Sequence, residues 1–98
     1  MNIQSMMKQA QKLQKDMMDA KKQIDETSYE VTKSFVTVSA KGNKKIEQIK
    51  IDMDTMDKEE MDILQELLQV AINELMDKID KDTEEKMGKY TQGMPGLF

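Results

Sequence analysis

The chain has 98 residues, enough for one small domain, and its 15 Lys and 19 Asp plus Glu leave a net charge of −4. A domain of this size covers only a modest part of its surface by itself, so association with another chain is expected. Cys and His are both absent, which excludes disulfides, thiolate metal sites and Cys nucleophiles and removes the side chain most used for acid–base work at neutral pH. The charge is unevenly divided: residues 1–50 hold ten Lys against six carboxylates, residues 51–98 five against thirteen. Such polarity orients an approaching polyanion towards one end or draws oppositely charged halves of two subunits together.

In chain order, Ile3, Met6, Ala10, Leu13, Met17, Ala20 and Ile24 recur at alternating spacings of three and four. This a/d pattern predicts an amphipathic helix with an apolar seam. Lys8, Lys15 and Lys22 fall at heptad position f, opposite the seam, with Lys12 beside them. At 1.5 Å rise per residue, successive members stand about 10.5 Å apart along the axis.

The period then changes to two. In SYEVTKSFVTVSA, Tyr29 and Val31 share one parity and Val36, Val38 and Ala40 the other, so a break near Lys33 and Ser34 is expected to leave two short strands. KGNKK supplies turn chemistry through Gly42 and Asn43, and IEQIKID returns as a strand with Ile49 and Ile51 facing inward. The middle of the chain is predicted to be a small antiparallel sheet.

A second helix opens at DKEE, where Asp57 and Glu60 have the spacing of a capping box. Met61, Leu64, Leu68, Ala71 and Leu75 continue the helical pattern, widened by Leu67, Ile72 and Ile79, and Gly88 is the expected stop. A helix over 58–87 spans about 45 Å, whereas a strand of seven residues reaches about 23 Å. Both helices should therefore overhang the sheet, and their uncovered apolar stripes call for a second copy of the chain. Ile3, Met6, Leu13, Met17, Leu64, Leu68 and Leu75 are the expected contacts of a homodimer. Residues 1–90 read as one domain and TQGMPGLF, 91–98, as a flexible tail.

No catalytic constellation emerges, and no enzyme activity or cofactor is expected. DMDTMDKEEMD begins like a calcium loop at Asp52 and Asp54, but Met56 stands where a third oxygen ligand belongs and Asp57 where the glycine belongs. No metal site is assigned. The chain also lacks the apolar run of a signal peptide or membrane span, so a cytoplasmic protein is expected. The lysines of the first helix read either as an ordinary solvated face or as a phosphate-contacting one. Lys41, Lys44, Lys45 and Lys50 add a second cluster near the hairpin, and Gln4, Gln9, Gln11 and Gln14 interleave as neutral hydrogen-bond partners. Because every cation is Lys, sequence preference is expected to be weak: bidentate reading of guanine is chiefly an arginine property.

MMKQAQKLQKDM at the start, KIEQIKID before the second helix, DILQELLQVAINEL within it and EKMGKYTQGMPGLF at the end together resemble the YbaB/EbfC family of bacterial nucleoid-associated proteins. The resemblance covers nearly the whole chain. It implies an α+β fold, an α-β-β-β-α protomer with two long helices flanking a small antiparallel sheet in an intertwined homodimer. It further implies low-specificity binding of double-stranded DNA, no enzymatic activity, and a place in the nucleoid with effects on gene expression or on recombination and repair. DNA contact by the helices points to Lys8, Lys12, Lys15 and Lys22, and to Lys86 and Lys89 near the end of the second helix. The alternative is a dimeric adaptor that docks on replication, recombination or repair proteins through Met-rich surfaces and the C-terminal tail. Where family members often carry a glycine-rich segment before the central strand, this chain has YEVTKSF.

Overall fold

The structure, a computed structural model, describes residues 2–91 and has the element order α1 (Ile3–Glu26), β1 (Ser28–Lys33), β2 (Val36–Lys41), β3 (Ile46–Ile51) and α2 (Lys58–Thr91). The three strands form one antiparallel sheet in the order β1-β2-β3. Each boundary has a local cause. Asn2 caps α1 by accepting from the backbone N–H of Gln4 at 3.1 Å and Ser5 at 3.4 Å. At the start of α2, Glu60 N–H donates to Asp57 Oδ1 at 2.8 Å and Asp57 N–H to Glu60 Oε1 at 3.3 Å, the reciprocal pair of a capping box.

The break expected near Lys33 and Ser34 is a tight reverse turn. Lys33 pairs with Val36 and leaves Ser34 and Phe35 as a two-residue loop, with Ser34 at φ 54°. A positive φ in a two-residue loop matches the twist of the flanking strands. The turn also explains the switch in parity, because β1 and β2 then point Tyr29, Val31, Val36, Val38 and Ala40 to the same side. All five are buried. Ala71, Leu75 and Ile79, four residues apart on α2, close over them with no accessible surface of their own. This layer of one helix on two strands is the core.

Several sequence expectations are revised. Gly88 does not stop the second helix, which runs to Thr91. Met87 is almost wholly buried just before it, and that burial outweighs the roughly 1 kcal/mol by which glycine disfavours a helix interior. Thr91, assigned to the tail from the sequence, is thus helical; the rest of that segment lies outside the described residues. Ile49 and Ile51 do face the helical side, opposite Val38 and Val36, but α2 lies over β1 and β2 and makes no contact with β3. Every residue of β3 is exposed, Ile49 by 47%.

The helices extend well beyond the sheet. The molecule measures 72 × 20 × 14 Å, and Ile24 is the one buried residue of α1. The root of α1 is fixed against the β2–β3 turn, where Gly42 N–H donates to Thr27 O at 3.0 Å. Leu75, expected at the subunit contact, is fully enclosed in the protomer's own core and has no surface to offer a partner.

Candidate nucleic-acid interface

From Ile3 to Asp16 every residue of α1 is exposed, on the lysine face and on the seam alike. The seam residues Ile3, Met6 and Leu13 are open, while Met17 is half-buried near the root; Leu64 and Leu68 on α2 are half-buried against the core. α1 is therefore an arm anchored at its C-terminal end.

Lys8, Lys12, Lys15 and Lys22 are all exposed on this arm, and none forms an ion pair with a carboxylate of the described residues. Their neighbour Lys21 is engaged, bonded to Asp25 one turn on at 2.7 Å. The helical period keeps Lys8, Lys15 and Lys22 on one side, about 10.5 Å apart at 1.5 Å rise per residue, a spacing comparable with a major groove roughly 12 Å wide. Unpaired ammonium groups on a projecting helix keep their full charge for a polyanion.

The two cations expected from the second helix are differently placed. Lys86 Nζ lies 2.9 Å from Asp82 Oδ2, one turn back on α2. Lys89 Nζ sits 4.9 Å from the centroid of the Tyr90 ring, a cation–π contact. Both line a groove of about 640 Å³ between α2 and the root of α1, where Asp16, Asp19 and Glu85 also stand. That groove is of mixed charge, unlike the outer part of α1.

Around the hairpin, Lys45 and Lys50 are exposed without an ion pair among the described residues, whereas Lys44 pairs with Asp80 at 2.5 Å. On β1, Lys33 pairs with Glu74 at 2.7 Å. Sequence reasoning missed this neutralisation of lysines by α2 carboxylates because the partners are 36 and 41 residues apart. It also missed that Tyr29 donates its hydroxyl hydrogen bond to Asp82. Burial, then the bond to Asp82 and its charge, push the Tyr29 hydroxyl up to about 12. The bonds from Tyr29 and Lys86 hold the Asp82 carboxyl below its ordinary value. Among the described residues no group of three or more acidic side chains is placed to hold a metal ion, and no helix is long and apolar enough to cross a membrane.

The profile of the YbaB/EbfC DNA-binding family matches residues 1–94. A nucleoid-associated protein of Enterococcus faecalis is 42% identical over 98 residues, which cover 98% of this chain and 94% of that protein. One of Ligilactobacillus salivarius is 43% identical over 99 residues, covering 99% and 95%, and one of Lactococcus lactis subsp. cremoris 40% identical over 97 residues, covering 97% and 98%. With a projecting lysine-bearing helix, a three-stranded sheet, and relatives matched over nearly their full length, this chain belongs to the YbaB/EbfC DNA-binding family.

Proposed function

We propose that this protein is a homodimer that binds double-stranded DNA with low sequence preference and organises the nucleoid in the cytoplasm. The observation that carries the reading is the set of four exposed lysines on α1, Lys8, Lys12, Lys15 and Lys22, none neutralised by a carboxylate among the described residues. Lysines bind phosphate as point charges and release condensed counterions, so affinity comes from the backbone of the duplex and little from its bases.

The half-covered sheet supports the dimer. Ile46, Ile49 and Ile51 lie on the same side of the sheet as the core yet have no helix over them, and Met61, Ile63 and Val70 of α2 are exposed as well. A second copy laid over this surface completes the layer that α2 begins and doubles the number of lysine arms. A folded monomer at micromolar concentration in sedimentation would remove this part of the proposal.

The decisive experiment is a titration of fluorescent duplex at several ionic strengths. With about six phosphates neutralised by two arms, log K should fall against log salt with a slope of about −5. The K8Q/K15Q/K22Q variant should keep its fold and lose affinity for every sequence alike; a flat salt response, or a variant that binds as tightly as the parent, refutes the reading. A second reading, a dimeric adaptor for replication or recombination proteins, draws on the exposed methionines Met6, Met7, Met18 and Met61. Deleting residues 93–98 separates the two, since an adaptor that uses its tail loses a protein partner while duplex binding is unchanged.

A further inference from the structure

Four ion pairs join lysines to carboxylates among the described residues: Lys21–Asp25, Lys33–Glu74, Lys44–Asp80 and Lys86–Asp82. In the first three the carboxylate is held by its lysine alone and is 36%, 49% and 57% exposed. Such pairs are weak, because water screens them and both long side chains are mobile, and a phosphate displaces the carboxylate readily. Asp82 differs on both counts. Its side chain is 27% exposed, and the Oδ2 atom that accepts from Lys86 also accepts from the hydroxyl of Tyr29. Tyr29 is itself buried in the core on β1, opposite Ala40. The carboxylate is thus anchored to the rigid sheet before Lys86 reaches it.

We propose that Asp82, positioned by Tyr29, sets the DNA affinity of the protein by withholding Lys86 from phosphate. This rests on the duplex-binding reading. Lys86 lines the groove beside Asp16, Asp19, Ala20 and Gln23 of α1. Lys12, Asp16, Asp19 and Gln23 recur at spacings of four and three, so the row of Lys12 along α1 runs into this groove, and a duplex that follows it towards the root comes to Lys86. The Lys86 side chain is half-exposed, but its Nζ faces a carboxylate that Tyr29 also holds, with Asp16, Asp19 and Glu85 around the same groove. Lys86 is thereby withheld, and this groove contributes little counterion release.

The test compares the parent with D82N, K86Q, D82N/K86Q and D62N by duplex titration across a salt series. Asn at position 82 keeps an oxygen that accepts from Tyr29, so the sheet contact survives, and thermal melting checks this. Asp62 is exposed on α2 without an ion pair among the described residues, so D62N reports the effect of removing one negative charge in general. Freeing Lys86 adds about one phosphate contact per protomer, so D82N should steepen the salt slope by about 0.9 per protomer and tighten binding at low salt roughly three- to tenfold. D62N should leave the slope unchanged, and in the K86Q background the D82N change should no longer affect it. A D82N slope equal to that of D62N, or a gain that persists without Lys86, overturns the proposal while leaving duplex binding intact. Absence of duplex binding by the parent protein overturns both.

Discussion

Replacing Gly42 by Ala tests how the lysine arm is fixed to the body. An added Cβ would stand 1.9 Å from the carbonyl oxygen of Ile24, 2.6 Å from its carbonyl carbon and 2.8 Å from its Cγ2. Two of these atoms are backbone, and the same carbonyl accepts the capping N–H of Thr27 at 3.1 Å. The β2–β3 turn and the end of α1 must therefore separate, which breaks the 3.0 Å bond from Gly42 N–H to Thr27 O. Overpacking of this kind costs about 1–3 kcal/mol and the lost hydrogen bond about 1 kcal/mol, together about 2–4 kcal/mol. For a domain of this length the midpoint of thermal unfolding should fall by between about 8 and 30 °C. Circular dichroism at fixed protein concentration measures it, because the proposed dimerisation would make the midpoint concentration-dependent. Duplex binding at a temperature where both proteins are folded should weaken as well, since the arms lose their set direction. A midpoint within about 3 °C of the parent would refute the claim that this close approach fixes α1.

Leu75→Ala, which empties a fully buried position between α2 and the sheet, should destabilise the protein by about 2–5 kcal/mol in urea unfolding. Ile49→Lys, on the uncovered side of β3, should leave helix content unchanged and shift sedimentation towards the monomer. In a Y90F background, the 295 nm absorbance of Tyr29 should report a hydroxyl ionising near pH 12. Its value in the folded state lies above the unfolded value near 10, so its contribution to stability is complete below pH 10 and is lost as pH rises through 12. Asp82 runs the other way. Its folded value is depressed, so its contribution is present above about pH 4 and is lost on acidification, and D82N should flatten the acid side of the unfolding profile.

The order of elements was legible in the residues because each element writes its own period. The three–four spacing from Ile3 to Ile24, the parity change across Lys33 and Ser34, and the Asp57–Glu60 pair depend on neighbours a few residues apart, and local backbone geometry decides them. The stripe of Lys8, Lys15 and Lys22 was legible for the same reason, since a helix turns spacing directly into a face. The family followed from the order of four motifs along the chain.

Contacts between elements were decided by the tertiary structure alone. The composition of β3 alternates towards a core, and only the position of α2 over β1 and β2 leaves Ile49 and Ile51 uncovered. Leu75 belongs to an apolar stripe whose members look equivalent in sequence, yet it lies where helix and sheet meet, while Met61 lies outside that contact. Gly88 carries a stop signal that the burial of Met87 overrides. Lys86 reads like any surface lysine until the fold brings Tyr29, 57 residues earlier, against Asp82. Periodicity determines which side of an element is apolar or charged; which of those sides meet, and which cations remain free for a phosphate, depends on distances between residues far apart in the chain.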